Sequence, residues 1–207
     1  MQKKMKPIAL ASLALALLFS SAGVAAQEVD TRLNKAIALL ENDEPAFGLL
    51  SFDYSLTNAR SLSRSGLDFI IIDMEHAPFD VERIREFLLG MTDKRAILEK
   101  GSLQPNVVPF VRIPASGGED VLSQVKQALD VGAFGVMFPS VNNAAEAEMA
   151  IRASRYPQLN GADDYEPAGL RGRNPSNAVW YWGTRDYIAK ADLWPLVPSG
   201  ELLAIIQ

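Results

Sequence analysis

Asp73, Glu75 and His76 fall within four residues of one another at the end of an apolar run, IIIDMEHAP (70–78). His76 is the only histidine in the chain. An imidazole beside carboxylates is the side chain best suited to moving protons near neutral pH. A carboxylate that accepts a hydrogen bond from one ring nitrogen fixes the tautomer and raises the basicity of the other. Asp73 is the candidate for that orienting acid. Glu75 could hold a water or stay ionised beside a cation. Arg112 closes a second apolar run, VVPFVRIP (107–114). Its fork suits a carboxylate or a developing enolate oxygen, so Arg112 and Glu75 are the candidate substrate-binding residues. Together these parts make a site for carbonyl chemistry.

Each residue also has a plainer reading. A lone histidine after a strand can cap a loop. Asp73 can be a turn-former ahead of Pro78, and Arg112 half of a structural ion pair. Lys126 and Asp130, four apart on a helix, read as an ordinary surface pair. The glycines of GLRG (169–172) could frame a phosphate loop or a plain turn, and Trp180, Trp182 and Trp194 read first as packing residues.

Runs of strand length that could position these residues are FGLLSF (47–52), DFIIID (68–73), VVPFVRIP (107–114), FGVMFP (134–139) and ELLAIIQ (201–207). Helical periodicity falls between them. Leu33, Ile37 and Leu40 mark a lead-in helix, and Leu56, Ala59 and Leu62 a second that Gly66 should stop. Asp80 caps a stripe of Val81, Ile84, Phe87 and Leu88. Another carries Val121, Leu122, Val125, Ala128 and Leu129, ending at Gly132. Asn143, with Glu146 three residues on, has the form of a capping box ahead of Ala147, Ala150 and Ile151. Continuous rather than alternating apolar strands, separated by helices, predict a parallel sheet covered on both faces. No GxGxxG or P-loop follows the first strand, which weakens a nucleotide-binding open sheet. In a barrel the working residues collect where strands end, which is where Asp73, Glu75, His76 and Arg112 fall. Two long connections interrupt the rhythm, 91–106 and 157–198; the second carries all three tryptophans. Connections of that length are usually functional lids or partner surfaces.

About half of the 207 residues are hydrophobic, enough for one sizeable core. Cysteine is absent, which excludes disulfides and thiolate metal sites. The net charge of −5 and the lack of a basic stripe argue against nucleic acid as a partner. Lys3, Lys4 and Lys6, an apolar run from Ile8 to Phe19 and a small-residue exit at Val24-Ala25-Ala26 have the layout of a secretory signal peptide. An uncleaved anchor is the alternative, but the run is short for a membrane span. Residues 1–26 are therefore expected to be removed, 27–46 to form a helix and lead-in, and 47–207 to be the folded domain. Losing three lysines takes the charge from −5 to −8. The expected product is periplasmic or secreted, with no membrane association after cleavage.

The segments DFIIIDMEHAP (68–78), VVPFVRIP (107–114), VKQALDVGAFGVMFPSVNNAAEAE (125–148), RYP (155–157), GLRG (169–172) and ELLAIIQ (201–207) occur in an order that resembles the HpcH/HpaI aldolase family. That family is also called the 2,4-dihydroxyhept-2-ene-1,7-dioate or 2-keto-3-deoxy-sugar-acid aldolase family. The resemblance extends from about Phe47 to the end of the chain. It implies an α/β fold, a (β/α)8 TIM barrel of which about five βα units are present here. It also implies a metal-dependent pyruvate aldolase that cleaves a 4-hydroxy-2-keto acid to pyruvate and an aldehyde. His76 would be the acid/base, Asp73 its orienting partner and Arg112 the oxyanion ligand. A divalent cation (Mg, Mn or Co) would bind the keto acid, and a homo-oligomer is expected. In the family pattern the metal ligands, and three further strands, would lie beyond Gln207. The expectation is thus an incomplete barrel, inactive alone. The signal-like N-terminus and the insertion QLNGADDYEPA (158–168) depart from the family pattern. Other readings are an exported protein that binds keto acids or partners without turnover, and a lyase acting on a CoA ester, which an exported location disfavours.

Overall fold

The computed structural model describes residues 32–115 and 121–207, so the signal-peptide expectation lies outside the described residues. The chain begins with helix α1 (Lys35–Glu41). Strand β1 (Gly48–Ser51), helix α2 (Leu56–Leu62) and strand β2 (Phe69–Asp73) follow. Next come α3 (Val81–Met91), α4 (Lys94–Lys100), β3 (Val108–Arg112) and α5 (Val121–Asp130). Then come β4 (Gly135–Phe138), α6 (Ala144–Ser154), α7 (Ser176–Trp182), α8 (Tyr187–Lys190) and β5 (Leu203–Ile206).

The five strands form one sheet in the order β1-β2-β3-β4-β5, and every pairing is parallel. The order never reverses, so no crevice opens between strands at a switch point and the working end is the row of strand C-termini. β2 and β3 are almost wholly buried, as their unbroken apolar sequences require. Side chains alternate along a strand, and the register sets Phe69, Ile71 and Asp73 opposite Val108, Phe110 and Arg112. Those six therefore share a face, and the Phe69 and Phe110 rings pack on it with centroids 5.7 Å apart. Glycine makes room for them. A β-carbon at Gly48 would stand 2.4 Å from the Phe69 ring, and one at Gly135 would stand 2.2 Å from the Leu203 carbonyl oxygen and 3.0 Å from Phe110.

The caps read from the sequence form. Asp80 accepts from the Arg83 amide at 3.1 Å. Asn143 accepts from the Glu146 amide at 3.0 Å, while Glu146 reaches back one residue further than a standard box, to the Asn142 amide at 2.7 Å. Helix α2 stops at Leu62 with Ser63 as its cap, ahead of Gly66, and its first residue, Leu56, stays half exposed. The connection 91–106 is not bare loop. It holds α4, capped by Asp93 and closed by Gly101 in the left-handed region at φ 66°. No residue of α4 is buried, so the apolar stripe that reveals other helices is missing.

The segment 157–198 is folded onto the core. Trp182 stacks on Phe134 with centroids 4.3 Å apart and donates to the Gly132 carbonyl at 2.8 Å. Trp180, by contrast, is mostly exposed. Arg155, fully buried, ties the segment down. It donates to Asp192 at 2.7 Å, to the Pro167 carbonyl at 3.0 Å and to the Asp164 carbonyl at 2.9 Å. Lys126 and Asp130 do pair, but not as the ordinary surface pair expected from their spacing. Asp130 is buried and joins Lys126 at 2.8 Å to the buried Arg171 of GLRG at 3.0 Å. GLRG is neither a phosphate loop nor a turn: it is an irregular segment whose Leu170 and Arg171 amides donate to the Arg152 and Arg155 carbonyls at 2.7 and 2.9 Å, and it delivers a structural arginine. Before β5, buried Glu201 accepts from the Leu33 and Asn34 amides at 3.1 and 2.9 Å, fastening α1 across the N-terminal end of the sheet.

Candidate active site

Asp73 is the last residue of β2 and Arg112 the last of β3, and they are register partners. Their backbones are joined beyond the ladder by the Met74 amide, which donates to the Arg112 carbonyl at 2.9 Å. Both side chains point from the same face at the same height. Arg112 Nε donates to Asp73 Oδ1 at 2.7 Å. The pair is almost dry, with the carboxylate fully buried and the guanidinium 8% exposed. Burial alone would push the Asp73 carboxyl up. The hydrogen bonds from Arg112 and the Glu75 amide, together with the charges of Arg112 and His76, outweigh it and hold the group below the usual carboxylate range. Arg112 is correspondingly held above its ordinary value, first by the Asp73 hydrogen bond. The Tyr54 hydroxyl, just beyond β1, donates to the Asp73 backbone carbonyl and braces the strand end.

Glu75 lies on the turn that follows. Its amide donates to Asp73 Oδ1 at 3.0 Å, and its Oε2 sits 2.9 Å from Arg112 Nη1. Arg112 is therefore clasped by two carboxylates. The same Glu75 Oε2 is 3.6 Å from His76 Nε2, and the imidazole is 64% exposed. All four predicted site residues thus meet at the C-terminal ends of β2 and β3.

One expected contact is replaced. Asp73 does not hold the His76 ring: its Oδ1 takes Arg112 and the Glu75 amide, and its Oδ2 is buried without a hydrogen-bond partner. The carboxylate next to the imidazole is Glu75. Strand geometry explains the exchange, because Asp73 continues the alternation of Phe69 and Ile71 and faces Arg112, while His76 lies past the strand end. Gln207, after β5, brings its side-chain oxygen to 3.5 Å from Arg112 Nη1 and its backbone amide to the Phe138 carbonyl at 3.0 Å. Tyr54 and Gln207 are the site neighbours that motif reading did not single out.

A divalent cation does not fit these residues alone. Asp73 and Glu75 are both spent on one guanidinium, which would repel a cation beside them. Among the described residues no group of three or more His, Asp or Glu side chains is arranged to hold a metal. What the cluster can do is hold an oxyanion at Arg112 and move a proton at the exposed imidazole. A separate cleft lies at the opposite end of the strands. It is lined by Met91, Lys100, Phe134, Tyr181 and Trp182 among others and by none of the four site residues.

The family model for HpcH/HpaI aldolase/citrate lyase matches residues 51–166, which include all four residues of the cluster. A hydroxypyruvate/pyruvate aldolase of Paraburkholderia phytofirmans is 33% identical over 165 residues, covering 79% of this chain and 56% of that protein. A 4-hydroxy-2-oxo-heptane-1,7-dioate aldolase of Klebsiella pneumoniae is 35% identical over 160 residues, covering 77% and 47%. The chain spans about half the length of the curated relatives it matches. Among solved structures, an HpcH/HpaI aldolase/citrate lyase family protein from Burkholderia cenocepacia superposes with a TM-score of 0.63 at 31% identity, over 84% of this chain and 59% of that one.

Proposed function

Because the chain belongs to the HpcH/HpaI aldolase/citrate lyase family, we propose that the protein is a carbon–carbon lyase that cleaves 4-hydroxy-2-keto acids to pyruvate and an aldehyde. The observation that carries the reading is the meeting of Arg112, its two carboxylates and the sole imidazole at adjacent strand ends. In this reading His76 takes the proton of the C4 hydroxyl as the C3–C4 bond breaks. The electron pair of that bond passes into the enolate of pyruvate, whose oxygen faces the Arg112 guanidinium. Protonation at C3 then gives pyruvate, and the hydroxyl carbon leaves as the aldehyde. Asp73 keeps Arg112 aimed at the site and charged.

A divalent cation, Mg, Mn or Co, belongs to the same proposal, although the four site residues do not by themselves hold one. The unreversed order of five parallel strands supports a (β/α)8 barrel as the complete fold. The lysine-apolar-small layout of residues 1–26 supports export to the periplasm or beyond. Among the described residues no helix is long and apolar enough to cross a membrane. A homo-oligomer is part of the proposal and rests on the family resemblance.

The test is to give the full-length protein pyruvate, an aldehyde and each of the three metals, and to look for the aldol product. Product should form, and His76→Ala should lower its rate by about 100-fold or more with the fold intact. A folded parent that gives no product with any metal removes the enzyme reading and leaves a protein that binds keto acids without turning them over.

A further inference from the structure

We infer that Glu75 is a substrate-displaced placeholder. In the free protein its carboxylate neutralises Arg112, and the oxyanion of an incoming 2-keto acid takes that place and sends Glu75 to the His76 ring. The inference rests on the keto-acid reading above and adds a residue and a sequence of events to it.

Three observations carry it. First, the two carboxylates on Arg112 are held unequally. Asp73 is fully buried on the last rung of β2, in register with Arg112, and its Oδ1 has a second donor in the Glu75 amide. It cannot leave without disturbing the end of the sheet. Glu75 lies beyond the strand, is 17% exposed and makes its side-chain contact to Arg112 from the solvent side of the pair. A competing carboxylate can therefore replace Glu75 on the guanidinium while Asp73 and the strand end stay in place. Second, the atom that Glu75 presents to Arg112, Oε2, is the atom nearest the imidazole, 2.9 Å from Nη1 and 3.6 Å from His76 Nε2. A movement of less than about 1 Å brings it within hydrogen-bond range of the ring. Third, Asp73 makes no hydrogen bond to the ring: its Oδ1 is doubly used, and its Oδ2, though unpaired, is sealed from solvent while the ring lies exposed. Glu75 is thus the acid that can answer the arrival of substrate. When the anion lands on Arg112, the released carboxylate accepts a hydrogen bond from one ring nitrogen, which fixes the tautomer and leaves the other nitrogen free to accept the substrate's proton. No proton is transferred in this exchange, and charge is conserved because one carboxylate replaces another on the guanidinium. Glu75 is a positioning residue in this scheme, acting through Arg112 and His76.

The sole histidine makes the test direct, because its ring gives one set of nuclear magnetic resonance signals. Pyruvate is titrated into the chain while those signals are followed, in the parent and in Glu75→Gln and Glu75→Ala. In the parent, the ring signals should move as pyruvate saturates. In both variants pyruvate should bind about fivefold more tightly, since nothing has to be displaced, and the ring should no longer respond to saturation. Two variants guard against a defect peculiar to one of them, and unchanged backbone spectra report the fold. A merely structural Glu75 would weaken binding or leave it alone, never tighten it. Unchanged affinity with the ring response retained overturns the inference, and so does a parent that binds pyruvate with its ring signals unmoved, whereas a parent that binds no pyruvate overturns the keto-acid reading and the inference with it. Neither readout requires turnover, so failure here is distinct from failure of the aldol assay.

Discussion

At the residue scale the site turns on Arg112, which two carboxylates hold at the strand ends. It is nearly dry and paired on one side with a fully buried Asp73. Removing one partner of such a pair leaves the other charge uncompensated, which typically costs about 3 kcal/mol or more. Asp73→Asn should therefore lower stability by about 3 kcal/mol at neutral pH, toward the low end because Glu75 still faces the guanidinium. Denaturant unfolding of the two chains measures it. The pH dependence has a definite sign. The folded carboxyl is held below its ordinary value, so the unfolded chain binds the proton more readily and stability rises with pH. The contribution is complete above the ordinary carboxylate value of about 4 and is lost as pH falls through the lower folded value. The gap between parent and Asp73→Asn should accordingly narrow only in acid. At this scale the sequence revealed which residues meet, but not who holds whom. Asp73 and His76 are three apart, which invites a pair. The outcome was decided by the two-residue repeat of β2, which aims Asp73 at the neighbouring strand.

Elements were legible where an apolar pattern had a core to face. The β-branched run of β2 and the stripe on α3, with Ile84, Phe87 and Leu88 buried, announce themselves. The caps were equally readable, since Asp80 and Asn143 bond amides three residues on. Replacing Asn143 with Ala removes the acceptor for the Glu146 amide and should cost about 1 kcal/mol, seen as a lower unfolding midpoint with unchanged activity of the whole protein. Helix α4 escaped because it buries nothing, and only Asp93 and Gly101 at its ends mark it. Asp130 escaped for a different reason. Its partner Arg171 is 41 residues away, and nothing local to α5 distinguishes a buried acid from a surface one. The tryptophans divide in the same way. Trp182→Ala should cost about 3 kcal/mol or more, because the ring both stacks on Phe134 and satisfies the Gly132 carbonyl. Trp180→Ala, on an exposed position, should be nearly silent.

For the whole molecule, the strand order carries the most information. Five parallel strands laid in chain order gather every strand C-terminus along one rim, and the register of β2 with β3 puts Asp73 and Arg112 side by side on it. The site is therefore a consequence of topology as much as of side chains: distant segments, 68–78 and 107–114, become neighbours because their strands are adjacent. The segment 157–198, long enough to suggest a lid, is instead anchored through Arg155 and Trp182 into the same core that supports the strands. This rim is proposed to stabilise the enolate of pyruvate. Exchange of the pyruvate methyl protons for deuterium in heavy water, followed by proton magnetic resonance with the full-length protein and a divalent metal, tests it most directly. The expected result is exchange by the parent that falls at least about 100-fold in His76→Ala. Exchange no faster than in buffer, from a folded and metal-supplied parent, would contradict it.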